Sequence, residues 1–421
     1  MAPPKSLHAR RGIRRLAPWS FVATLLAACG GGGGMGTGPV SNSGFQPASH
    51  PALPRVVTLG GPVMVHPKVL PIMFAGDSGA GDVQSFLTEL AGTPAWGSAT
   101  SEYGVGPLTI LPAVTVTDAP QSISDSGLQS MVASNTSSAT APWGAADPET
   151  IYLFVLPQGT IEQDSYGACC NEYDGYHDET KVGSTSVSYA VSCTCPGFDG
   201  PSYTTLQERT IDMSHELFEA STDPFPNTNP AYAQEDDDDI VWTIVTDGEV
   251  SDMCEFNDDA NAVPMGATYM IQRSWSNAAA ARGDNPCVPV VTPTPYLNSY
   301  PTLTAITDAT LAPGFRTQGL NVPIGQSKTI DIKLSSAAAT DNTWTVQVYD
   351  YQSAVVGARS PGLSLSLDQA SGRNGDVLHL TIVPKSANQQ FGGEAFMLVS
   401  DYGNPGDPDF ESQLSMGLVT N

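Results

Sequence analysis

The sequence predicts two folded regions in series, an α/β or α+β region over residues 54–287 and an immunoglobulin-like β-sandwich over residues 297–421. Three observations predict this. In the first region short apolar runs alternate with helical patterns. In the second, apolar and polar residues alternate with a period of two between clusters of Gly, Pro, Asn and Asp. Between them, residues 288–296 hold a proline-rich stretch from Val288 to Pro295, the composition of a linker.

The chain opens with Lys5, Arg10, Arg11, Arg14 and Arg15, followed by a short apolar run from Leu16 to Ala28. That is the layout of a secretory signal over residues 1–28, and the run is too short to span a bilayer. Leu26-Ala27-Ala28-Cys29-Gly30 resembles the lipobox at which bacterial lipoproteins are cut and acylated on cysteine. Acyl chains on Cys29, each buried CH₂ contributing roughly 0.8 kcal/mol, would tie the protein to a lipid bilayer. Gly31–Gly34 and the Gly/Ser/Pro-rich residues that follow make 29–53 a flexible tether to a folded body in the cell envelope.

Removing residues 1–28 takes away five of the 17 Lys and Arg and no acid, so the formal charge moves from −26 to −31. Such a body is a poor partner for nucleic acid. Six further cysteines, Cys169, Cys170, Cys193, Cys195, Cys254 and Cys287, suit disulfides in an oxidising compartment, with fifteen possible connectivities. The short separations favour Cys169/Cys170 crossed with Cys193/Cys195, and Cys254 joined to Cys287. A four-cysteine zinc site competes, although these are not the usual ligand spacings.

Within the first region Leu70–Phe74 reads as a strand and Asp82–Leu90 as a helix with Val83, Phe86, Leu87 and Leu90 on one face. Ile151–Leu156 is unbroken and apolar, the pattern of a strand buried on both faces, and Ser188–Val191 is another strand. In the second region Ile330, Ile332 and Leu334, then Trp344, Val346 and Val348, Leu363, Leu365 and Leu367, and Leu378, Leu380 and Ile382 mark alternating strands. This region shows no catalytic constellation and is expected to be an accessory or spacer domain.

The chemistry is expected on a helix from Thr204 to about Thr222, set by Leu206, Thr210, Met213 and Leu217 and stopped by Pro224. His215 and Glu219 are four residues apart and share a face. Zinc metalloproteases of the His-Glu-x-x-His type present two ligands in this way, with the intervening acid acting on water. Here Glu219 stands at the second ligand position and Glu216 is the candidate general base. A third ligand is expected from Glu249, with Asp252 or His177 behind it. An ordinary His–Glu pair on a helix surface has the same spacing. Glu235–Asp239 offers a weaker calcium reading, but it lacks the spaced ligands of an EF-hand and suits a solvated loop.

Several segments together resemble the EXORDIUM and phosphate-induced-protein-like family. They are Gly60-Gly61-Pro62-Val63, the strand through Phe74, the Phe86-Leu87 helix and Ala95-Trp96, then Gly175-Tyr176-His177, Ser214-His215-Glu216-Leu217 with Glu219, Glu249-Val250 with Asp252 and Cys254, and Trp275-Ser276-Asn277. They run in order over roughly residues 56–287. Plant members of that family are associated with the cell wall and lack a firmly assigned reaction, whereas bacterial relatives look like secreted metallopeptidases. The resemblance thus implies a metallopeptidase-like domain. The lipobox, the paired cysteine clusters and the second region depart from the plant pattern. The expectation is an exported lipoprotein with a zinc-dependent peptidase site acting on protein or peptide, and the alternative is a non-catalytic surface-binding or adhesion protein.

Overall fold

The computed structural model describes residues 44–117, 119–163, 167–198, 203–235, 238–255, 262–307, 316–354, 360–386 and 393–421. The signal segment, Cys29, residues 29–43 of the expected tether, and Asp236 and Asp237 of the acidic run lie outside them. The fold is mixed α/β and mostly β.

In chain order the first region contains β1 (Lys68–Phe74), α1 (Ala80–Gly92), α2 (Asp125–Asn135), β2 (Thr150–Leu156), β3 (Gly175–Val182), β4 (Thr185–Cys193), α3 (Thr205–Thr222) and β5 (Tyr269–Gln272). The central sheet runs Thr109–Ile110, β1, β2, β4, β3. All of it is parallel except for the antiparallel edge strand β3. The apolar runs explain the layering, because successive side chains leave a strand on opposite faces. Val69, Met73, Ile151, Leu153, Val155 and Ala190 face α1 and α3, whereas Leu70, Ile72, Phe74, Tyr152, Phe154 and Leu156 face α2. The expected face of α1, Val83, Phe86, Leu87 and Leu90, is fully buried in the first of these layers.

The second region packs two sheets. One joins β6 (Leu297–Pro301), β7 (Lys328–Ser336), β10 (Val377–Pro384) and β9 (Leu363–Leu367). The other is six-stranded and centres on β11 (Gly393–Tyr402) and β12 (Glu411–Thr420), with β8 (Trp344–Asp350) beside β11. In β7, Ile330, Ile332 and Leu334 point into the core while Asp331 and Lys333 are exposed, as the alternation requires.

Three expectations about organisation change. The sandwich is no spacer, because β11 and β12 are buried on both faces. Phe396, Leu398 and Val419 fill the sandwich core; Ala395, Met397, Val399, Leu414, Met416 and Leu418 join the cluster that holds Trp242, Met253 and Trp275 of the first region. The reason is compositional, since Ala395–Val399 has no polar residue to turn toward water. The proline-rich stretch is likewise fixed. Val288 pairs with Ser274, Thr292 donates to Glu411 Oε1 at 2.9 Å, and Tyr296 is buried. The tether ends earlier than Leu53. Ala48 donates from its amide to Asn374 Oδ1 at 2.8 Å, the His50 ring stacks on Tyr300 at 4.8 Å, and Leu53 is buried.

The favoured disulfide set is present: Cys169–Cys193, Cys170–Cys195 and Cys254–Cys287. Among the described residues no helix is long and apolar enough to cross a membrane.

Candidate metal centre

Helix α3 begins where the sequence signals it. Thr204 Oγ1 accepts from the Gln207 amide and the Gln207 side chain accepts from the Thr204 amide, a reciprocal pair that satisfies donors left open by the first turn. Pro224 cannot continue the helix. The helix is wedged between two strands. On one side Thr210 Oγ1 and Ser214 Oγ accept the amides of Met270 and Gln272 in β5, at 3.2 and 2.8 Å. On the other, Gly175 of β3 lies so close that a Cβ there would collide with Asp212 Oδ1.

This wedge brings together every residue expected at the site. His215 Nε2 lies 3.0 Å from Glu219 Oε2 and 3.4 Å from Asp252 Oδ1. His177, supplied by β3, places Nδ1 3.8 Å from the same Glu219 Oε2 and 3.6 Å from Glu216 Oε2, and Nε2 3.6 Å from Glu249 Oε1. The preference among third ligands changes. Asp252 closes the group that contains His215, and Glu249 closes the group that contains His177.

The two rings are held alike. His215 Nδ1 faces Gln272 Oε1 at 3.0 Å, and Gln272 is oriented by donating from Nε2 to the Ser251 carbonyl at 2.9 Å. His177 Nε2 lies 3.2 Å from the Asp223 carbonyl. In a neutral ring, an acceptor next to one nitrogen selects that nitrogen as the donor and leaves the other to bind a ligand. Metal-binding histidines are oriented by such outer partners. Glu219 is pinned as well, since its Oε1 accepts the amides of Ser251 and Asp252 at 3.0 and 3.1 Å, leaving Oε2 toward both histidines.

Electrostatics follow from burial and an excess of acid. Burial alone would lower both histidines, but Glu219, Glu216 and Asp252 hold His215 well above its ordinary value, and Glu216 and Glu219 raise His177. Burial pushes Asp252 and Asp223 up to about 6 and lifts Glu249 and Asp212 well above the carboxylate range. Glu219 moves the other way: burial opposes its charge, but His215 and the backbone amides lower it.

The donor set fits a divalent cation of the borderline class. Imidazole and carboxylate ligands at about 2.0–2.2 Å place neighbouring donors roughly 3–3.6 Å apart. The 3.0 and 3.4 Å separations around His215 Nε2 match that spacing. Sequence reasoning missed Gln272, Asp223 and Asp212. Asp212 on α3 and Asp223 at its C-terminal cap fall in step with Glu216 and Glu219, a periodic stripe of acids that points to them; Gln272 carries no local signal.

No protein-family model matches the chain, and no curated protein matches it. Among solved structures it is similar to domains 4 and 5 of the S-layer protein SbsC, at 16% identity and a TM-score of 0.17 over 29% of this chain. The match spans 47% of that chain. So slight a likeness assigns neither fold nor function.

Proposed function

We propose that the chain is an exported, lipid-anchored hydrolase that depends on a divalent cation, zinc foremost, and acts as a peptidase. One observation carries the reading: two histidines, each with one ring nitrogen held by a neutral acceptor, face one carboxylate oxygen, Glu219 Oε2. A cation held there would polarise a carbonyl and acidify a water. Glu219, His215 and Asp252 would hold it, with His177 and Glu249 alongside. Glu216, near His177 Nδ1, would accept a proton from the attacking water. The three disulfides and the lipobox support an extracytoplasmic location. The EXORDIUM-like motifs support the same reading, since His177, His215–Glu219 and Glu249–Asp252 converge and the Trp275 amide donates to the Val250 carbonyl at 2.7 Å.

A second reading has its own support. A cleft of about 480 Å³ is bounded by residues 49–55, by both sheets of the second region and by the first region, lined by Trp242, Trp275, Tyr296 and Tyr300 and by none of the candidate ligands. Aromatic walls with Arg55, Lys333 and Asp239 at hand suit capture of a peptide or glycan, with the cation playing a structural part.

Elemental analysis and a casein or peptide-library assay on wild type, His215→Ala and Glu216→Gln separate the two. The hydrolase reading expects zinc and cleavage in wild type, zinc without cleavage in Glu216→Gln, and loss of cleavage with less zinc than wild type in His215→Ala. Wild type that takes up no zinc defeats it, and zinc without any cleavage moves the conclusion to the binding protein.

A further inference from the structure

Around Glu219 the ligand atoms fall into two groups, His215, Glu219 and Asp252 on one side and His177, Glu219 and Glu249 on the other. Within each group the atoms lie within 4.8 Å of one another, and no such group among the described residues contains both histidines. A single ion at about 2.0–2.2 Å from each donor cannot hold ligands more than roughly 4.4 Å apart. One ion therefore cannot take both rings in this arrangement. Glu219 Oε2 is the atom common to the two sides, 3.0 Å from His215 Nε2 and 3.8 Å from His177 Nδ1. Its partner oxygen is already committed to two backbone amides, so the carboxylate is not free to turn.

Charge points the same way. Glu216, Glu219, Asp223, Glu249 and Asp252 are buried or nearly so around two histidines. Asp223 is fully buried; its Oδ1 takes the Ala231 amide at 2.6 Å, and its side chain meets that of Glu249. Buried carboxylates crowded against one another are costly unless protons or a cation neutralise them.

We propose that the centre takes two divalent cations bridged by Glu219 Oε2, one completed by His215 and Asp252 and the other by His177 and Glu249. The inference rests on the hydrolase reading and deepens it. Ions that share one oxygen sit roughly 3.5–4 Å apart, the spacing of two-metal hydrolytic sites that clamp the attacking and the leaving oxygen of one substrate. With three protein ligands each, both positions stay open to water and substrate.

The test uses the full chain saturated with Mn²⁺ and, separately, Zn²⁺. Isothermal titration and elemental analysis should count two ions per wild-type chain, one in His177→Ala and one in His215→Ala. Electron paramagnetic resonance of the Mn²⁺-loaded wild type should show two spin-coupled ions, a readout that needs no variant to fold. A single ion per wild-type chain with an uncoupled spectrum overturns the bridged pair and leaves the one-ion hydrolase standing. No ion at all overturns both.

Discussion

Among the buried clusters of charge in the described residues, two differ in balance. Between the two regions, Arg273 and Glu411 are each 1% exposed and pair at 3.0 Å, with Asn285, Thr292 and Gln413 donating to the same carboxylate. At α3, by contrast, a group of acids shares two histidines. The first cluster is complete in its own side chains and needs only to exist. The second gathers more acids than its two histidines can pair, a group that could hold a metal ion. The difference teaches that burial of charge is informative about function only when the charges fail to cancel.

The largest effect expected is at the balanced cluster. Glu411→Gln should destabilise the chain by about 3–5 kcal/mol in denaturant unfolding, because it strands a buried guanidinium, whereas Arg273→Met with Glu411→Leu should recover most of that loss. Equal stability of the single and double variants would remove the contrast. At the unbalanced cluster, zinc at a hundredfold excess over its dissociation constant should stabilise wild type by about 2.7 kcal/mol and His215→Ala by less. A thermal-shift titration reads this, and an unchanged response in the variant would place the ion elsewhere.

The third prediction concerns pH in chelated protein. Between the ordinary aspartate value of 3.8 and about 6, folded Asp223 and Asp252 keep protons that the unfolded chain has lost, so stability falls as pH rises across that window. The raised histidines act in the same sense, since their contribution is full below 6.5 and is lost as pH rises through the folded value. Glu219, lowered, opposes this, with a contribution present above 4.5 and lost on acidification. Guanidinium melts of the chelated chain should show less stability at pH 8 than at pH 5, with zinc flattening the slope; a rise toward pH 8 would contradict the excess of acid. The smallest effect belongs to the half-exposed pair Lys68–Asp147, where Lys68→Met should change stability by under about 1 kcal/mol in the same melts.

Much of this was legible in the sequence. Helix α3 lies within a residue of its expected bounds because a capping box and a proline punctuate it, and the buried face of α1 follows from period alone. His215, Glu219, Asp252, Glu249 and His177 were all candidates, but their division into two groups was not readable, since it depends on how β3 and the Glu249–Asp252 loop meet across α3. The docking of the sandwich was missed for a related reason. Alternation in β7 and β10 announced one wet face, and the continuous apolar run in β11 announced two dry ones without saying what covers the second.

The sheet that serves two cores also sets an order of events. Residues 411–420 supply Leu414, Met416 and Leu418 to a cluster whose other members begin at Leu53, so that cluster cannot close until Glu411–Thr420 has been made. Contacts of such sequence separation form slowly, and the first region must wait with an uncovered apolar face. A nascent chain stopped short of Glu411 should therefore bind chaperones and form Cys254–Cys287 less readily than the two disulfides of the other cluster.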